Sequence, residues 1–75
     1  MQVKFTIDYD LIELVDAIGL DYTEKQDQIE IVVDNIEELI DDVDDYNRFN
    51  DEELCEYLLN PTLCEGLIYT QRIYD

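Results

Sequence analysis

Histidine, serine and tryptophan are all missing from this chain. Losing the first two removes the commonest general base, the commonest hydroxyl nucleophile and the imidazole metal ligand. Basic residues are scarce as well. Four Lys and Arg stand against 21 Asp and Glu, a formal net charge of −17. Direct binding to DNA or RNA is the partnership this charge most nearly forbids, because nucleic-acid affinity rests on neutralising phosphates with Lys and Arg. An anionic lipid surface would repel the chain too. Long apolar runs are absent: the longest uncharged stretch, Tyr57 to Cys64, is far short of the ~20 residues that a membrane helix requires. Met1 to Asp8 lacks a basic segment followed by an apolar one, so no secretory leader is expected. These absences point to a soluble, cytoplasmic protein with no cofactor. Cys55 and Cys64 match no metal spacing. In a cytosolic protein they read as two buried thiols ahead of a structural disulfide.

What is present is enough to fold. Hydrophobic residues make up 47% of the chain and there are six tyrosines, with only two glycines and one proline, which is unlike a disordered acidic tail. Seventy-five residues make one domain, 1–75, with one thin core. Val3, Phe5 and Ile7 alternate with Gln2, Lys4 and Thr6, the period-2 pattern of a half-buried strand. Asp8 is placed to cap a helix whose inner face is Leu11, Leu14, Val15 and Ile18, and Gly19 stands where a left-handed terminal residue belongs.

The segment from Thr23 to Asp45 has two readings. As one helix, it lines up Ile29, Val32, Val33, Ile36, Leu39, Ile40 and Val43, but strands Ile31 among the acids. As a strand from Gln28 to Val33, its β-branched run fits naturally. Asp34 with Glu37 then forms a capping box, and Tyr22–Lys25 can pair back across Gln26-Asp27. The second reading is favoured. A helix follows from Asn35 to Tyr46 with Ile36, Leu39, Ile40 and Val43 inward, broken by Asn47–Phe49. Asn50 and Glu53 make another capping box, opening a helix with Leu54, Tyr57 and Leu58 inside that stops at Pro61. Leu67 to Tyr74 closes the sheet. The expected fold is α+β: terminal strands plus a central strand or hairpin, packed with three short helices. The alternative is a mostly helical domain with a two-stranded sheet.

Ten of the fifteen residues in Glu37–Asp45 and Asp51–Glu56 are acidic. Side chains at i, i+3 and i+4 of a helix lie about 5–6 Å apart, similar to successive phosphates on a nucleic-acid strand. Carboxylates on these helices can therefore imitate a phosphate row and suit a groove built from Lys and Arg. The competing explanation is a solvated face or a halophilic surface, yet −17 exceeds the roughly 2–8 charges that solubility asks of a small domain. Almost no Lys or Arg stands at i+4 to pair these acids.

In its composition and in the Glu37–Glu56 stretch the chain resembles the phage and plasmid DNA-mimic proteins, a class that includes anti-restriction and anti-CRISPR proteins and inhibitors of uracil-DNA glycosylase. The resemblance carries no shared motif, and those proteins share no one fold. It implies stoichiometric inhibition of a host nucleic-acid-binding enzyme without chemistry. The contact residues would be Glu37, Glu38, Asp41, Asp42, Asp44, Asp45, Asp51, Glu52 and Glu53.

Three other readings compete. Asp42, Asp44, Asn50 and Glu53 fall at positions 1, 3, 9 and 12 of an EF-hand loop, but Tyr46 and Asn47 occupy positions 5 and 6, where a ligand and a glycine belong. Carboxylate pairs such as Asp8 and Asp10 are inevitable among so many acids, and a shallow fold shifts their pKa values little, which argues against an enzyme. An acidic antitoxin, immunity or adaptor protein would use the same electrostatics with apolar anchors inside the acidic face. Tyr46 and Phe49 are the anchors expected, with Ile31 a further option; as plain structure they would cap the core beside the helix break. Lys4 and Arg72, on the terminal strands, would pair with nearby acids, while Lys25 and Arg48 are assigned to turns.

Overall fold

The computed structural model describes residues 1–74. Strand β1 (Gln2–Asp8) carries the expected alternation: Val3, Phe5 and Ile7 are fully buried. It is one of the two inner strands of the sheet, antiparallel to β3 (Gln28–Val33) on one side and to β4 (Leu67–Ile73) on the other. The short β2 (Thr23–Lys25) completes the order β2-β3-β1-β4. The β2–β3 hairpin turns through Gln26-Asp27, with Gln26 in the left-handed region at φ +48°. Four strands overturn both the one-helix reading of 23–45 and the mostly helical alternative. Packing decides the point. Ile29 and Ile31 stand opposite Ile7 and Phe5 in register and are buried with them, whereas a helix would have turned Ile31 to water.

Every helix lies on the side of the sheet to which Val3, Phe5 and Ile7 point. A 3-10 turn (Tyr9–Leu11), capped by the Asp8 carboxylate accepting from the Asp10 amide, leads into α1 (Ile12–Ile18). Of the face expected for α1 only Val15 is fully buried, while Ile18 is exposed. Gly19 ends the helix at φ +87° as its position foretells. Then come α2 (Ile36–Leu39), α3 (Val43–Arg48), α4 (Asp51–Leu58) and a second 3-10 turn (Leu63–Gly66). Val15, Ile36, Ile40, Tyr46, Leu54, Cys55 and Leu63 close the core over the sheet. Among the described residues there are thus four α-helices where three were expected.

The helix read from Asn35 to Tyr46 is broken. Ile40 adopts an extended conformation (φ −128°, ψ 103°), and Asp42 restarts the chain as the N-cap of α3, its carboxylate accepting from the Asp44 amide at 2.8 Å. The break changes which side chains reach the core. Ile36, Ile40 and Tyr46 are buried, while Leu39 and Val43 are half exposed. It also removes the like-charge i,i+4 contacts that Glu37–Asp41, Glu38–Asp42 and Asp41–Asp45 would have made on a continuous helix. The Asp34–Glu37 capping box does not form. Asn35 stands at the N-cap in the left-handed region, φ 58°, without a side-chain cap. Asp34 instead accepts from the Gln2 side chain, and Glu37 pairs with the amino group of Met1.

The Asn50–Glu53 capping box is present in both directions: the Glu53 amide donates to Asn50 Oδ1 at 2.7 Å, and the Asn50 amide to Glu53 Oε1 at 3.4 Å. Asn50→Ala is expected to lower stability by about 1 kcal/mol, read as a shift in urea midpoint at constant slope. Inside α4, Cys55 takes the buried place assigned to Tyr57, which is 58% exposed. Both cysteines are free, Cys55 buried and Cys64 only half buried. Burial pushes the Cys55 thiol far above its ordinary range, and Cys64, Glu56 and Glu52 add to the effect. The unfolded chain ionises this thiol above about pH 8.5, while the folded chain keeps it protonated. Stability is therefore complete below that pH and falls as pH rises past it, by up to about 1.4 kcal/mol per unit for the one group. Urea titrations at pH 7.5 and 9.5 check the sign, and native-state alkylation of Cys55 should be slow.

Arg72 lies on the core side of β4, opposite Val3, with its side chain only 18% exposed. Its guanidinium donates to the backbone carbonyls of Tyr46 (3.2 Å) and Phe49 and reaches Asp51 Oδ1 at 3.5 Å. It also stacks 5.0 Å from the Tyr46 ring centroid. One side chain thereby ties the sheet to the end of α3 and the start of α4.

Candidate functional site

The ten acids of Glu37–Glu56 are all exposed and share that stretch with a single base, Arg48. They are carried on α2, α3, α4 and the linking residues, all in the helical layer. The opposite face of the sheet is different. Cross-strand partners share a face, so the register assembles Lys4, Thr6, Glu30, Val32, Tyr69 and Gln71 there, with Thr23, Lys25 and Gln28 beside them. Two of the four bases meet on it around one acid: Lys25 Nζ lies 3.2 Å and Lys4 Nζ 3.9 Å from Glu30. Lys25 is thus the last residue of a strand and Arg48 the last of α3, neither in a turn as their sequence positions suggest. Both Lys4 and Arg72 do pair with acids, Glu30 and Asp51. The layer of α2–α4 is thus the more densely acidic one, while on the sheet face two lysines offset Glu30, with Asp8 in register beside Gln28 and Asp21 and Asp34 at its margin.

Where α2, α3 and α4 meet, an open cleft of about 500 Å³ is lined by Leu39, Ile40, Asp41, Asp42, Asp45, Arg48, Phe49, Glu53 and Tyr57. The helix break creates it, since an unbroken helix would have no gap between Leu39 and Val43. Phe49 and Tyr57 pack at 5.4 Å between ring centroids, and the Tyr57 hydroxyl donates to the Leu39 carbonyl at 3.3 Å, holding the apolar floor together. Carboxylates rim this floor. A long basic side chain matches such a surface, its aliphatic stem on the aromatic floor and its charged head among the acids.

Of the contact residues expected from sequence, Asp41, Asp42, Asp45, Glu53 and Phe49 come together in this cleft. Glu37, Glu38 and Asp44 are exposed outside its lining, and Asp51 and Glu52 line a second cleft toward β4. The acids of Glu37–Asp45 form no single row along one helix, because the break puts Glu37 and Glu38 on α2 and Asp44 and Asp45 on α3. Tyr46 is a correction. It is fully buried, packed edge-on against Tyr74 at 6.0 Å, and burial pushes its phenol up. It caps the core, as its plainer reading held, and presents no side chain to a partner. Ile31, 2% exposed, is likewise inside the molecule. Leu39, Ile40 and Tyr57 were missed as cleft residues. Tyr57 was legible in principle, standing four residues after Glu53 and hence on the same side of α4.

Of the four EF-hand positions, Asp42 and Glu53 line the cleft between α2, α3 and α4, but the caps of the helices already use two of them. Asp42 and Asn50 cap α3 and α4 with the oxygens that a calcium loop would need, and among the described residues no group of three or more possible ligands is gathered for a metal. No helix of the described residues is long and apolar enough to cross a membrane. Compared with protein-family models, with curated proteins and with solved structures, the chain matches none.

Proposed function

We propose that this protein is a non-enzymatic, cytoplasmic inhibitor that imitates nucleic-acid phosphates and occupies the basic groove of a nucleic-acid-binding enzyme, such as a CRISPR effector or a restriction enzyme. The observation that carries this reading is density: ten exposed acids with a single base are crowded on the layer of α2–α4, whereas on the opposite sheet face two lysines meet Glu30. A surface charged only to stay soluble gains nothing from crowding like charges on neighbouring helices. A surface that must enter a positive groove needs such a concentration, and steering by that field speeds the encounter.

The apolar cleft floor of Leu39, Phe49 and Tyr57 favours a second reading, an acidic antitoxin, immunity or adaptor protein. Phosphate imitation asks only for charge, whereas buried aromatic anchors dominate protein–protein affinity.

Capture from lysate of the host at about 50 and 500 mM salt separates the two, since screening weakens charge more than apolar contact. A nucleic-acid enzyme retained at low salt, and released by added duplex DNA or RNA, supports mimicry. A partner that nucleic acid cannot displace moves the assignment to the second reading. Capture of nothing removes both and leaves the charge as a property of the surface.

A further inference from the structure

We infer that the free edge of β4 is a docking site for an extended segment of a partner protein that carries basic side chains at alternate positions. The inference does not depend on mimicry of nucleic acid.

The two edges of the sheet are treated differently. At one edge, β2 is three residues long, fully exposed, and carries Glu24 and Lys25, the short and charged form that discourages strand addition. At the other, β4 runs for seven residues without proline or lysine. Its single charge, Arg72, is turned under α3 and α4 and held by the carbonyls of Tyr46 and Phe49. A bulge leaves Ile68 without a partner on β1, but Tyr69–Ile73 is regular strand. The sheet order puts no strand beyond β4; the Leu67 amide donates back to the Cys64 carbonyl, and from Ile68 to Ile73 no backbone hydrogen bond among the described residues runs outside the sheet. Ile68 and Tyr69, more than half exposed, mark the same edge.

Charge selects the occupant. Asp51 and Glu52 at the start of α4 line a cleft of about 350 Å³ with Leu67, Ile68, Tyr69 and Thr70. A strand added to β4 sends alternate side chains into this cleft and the others over the outer sheet face beside Tyr69 and Gln71. The first set meets two carboxylates, so Lys or Arg fits there, and the second set is apolar or uncharged. A second copy of this chain fits worse. Its own β4 offers no outward cation, and it brings another Asp51 and Glu52 against the first pair.

The test is an NMR titration of the whole, isotopically labelled protein with an eight-residue peptide alternating lysine and valine. Versions of the same charge, N-methylated on every second residue in either register, serve as controls. Expected are shifts and new exchange protection in the amides of Leu67–Ile73, at least tenfold weaker binding by one methylated register, and at least tenfold weaker binding to Glu52→Lys. Equal binding of all the peptides would overturn the inference in favour of unspecific charge attraction. Shifts confined to the Asp41–Tyr57 cleft would overturn it too. So would β4 amides already protected in a protein that elutes as a dimer, the result expected if the occupant is a second copy.

Discussion

Changing Asp41, Asp45 and Glu53 together to lysine is expected to weaken capture of the basic partner at least 100-fold, about 2.7 kcal/mol, while leaving the fold as stable or stabler. All three line the cleft between α2, α3 and α4. None holds a side chain of the core: Asp45 pairs with the exposed Arg48 at 3.7 Å, and lysine at 53 keeps the backbone bond to Asn50 Oδ1 and gives up only the long 3.4 Å bond from the Asn50 amide. Net charge would move from −17 to about −11, relieving self-repulsion. The control changes charge equally but elsewhere: Glu13, Glu24 and Glu65, also exposed, become lysine. Titration calorimetry against the captured enzyme, with thermal melts by circular dichroism, reads both variants. Retention of affinity by the control locates the interface. Equal loss in both would reduce it to bulk charge and remove the cleft from the proposal.

Arg72→Met should be strongly damaging for a partly exposed position, lowering stability by about 3 kcal/mol. Methionine keeps the apolar stem but leaves the carbonyls of Tyr46 and Phe49 without their donor, each worth ~1–3 kcal/mol when buried and unpaired. The stacking on Tyr46 is lost as well, at about 0.5–1 kcal/mol or more. From the roughly 4–11 kcal/mol that a chain of this length commands, that loss leaves about 1–8 kcal/mol. Arg72→Lys should fall between, because one ammonium cannot span two carbonyls with a planar fork. Urea denaturation measures both. A loss under 1 kcal/mol for the methionine variant would mean that the sheet and α3–α4 hold together without this link.

The local grammar of the fold was legible. Alternation gave away β1, the β-branched run β3, and Asn50 with Glu53 the start of α4, because each is a signal over a few neighbouring residues. The break at Ile40–Asp42 was not. Periodicity marks Ile36, Leu39, Ile40 and Val43 as one helical face, and only the tertiary demand of the sheet, which takes Ile36, Ile40 and Tyr46 instead, overrides it. That same demand hid the cleft and the burial of Tyr46. Asp42 was a cap signal in plain view, but it stood among so many acids that its role could not be separated from its charge. Arg72 showed the converse: a lone base in an apolar strand, legible as a pairing residue, whose principal partners proved to be carbonyls far away in sequence.

The interruption between α2 and α3 also determines the order in which the molecule opens. Four-residue α2 is a single turn, with the Ile40 amide on the Ile36 carbonyl and its start tied to Met1 through the Ile36 amide and the Glu37 carboxylate, whereas β1 is bonded along both sides within the sheet. Local opening free energies follow such differences, from near zero at short exposed elements to the global value at inner strands. Amide exchange should therefore run fastest through Ile36–Asp42 and slowest through Val3–Ile7. The acidic layer is then the compliant half of the molecule and the sheet its rigid half, so the face that meets a partner can reshape while the scaffold beneath it stays folded.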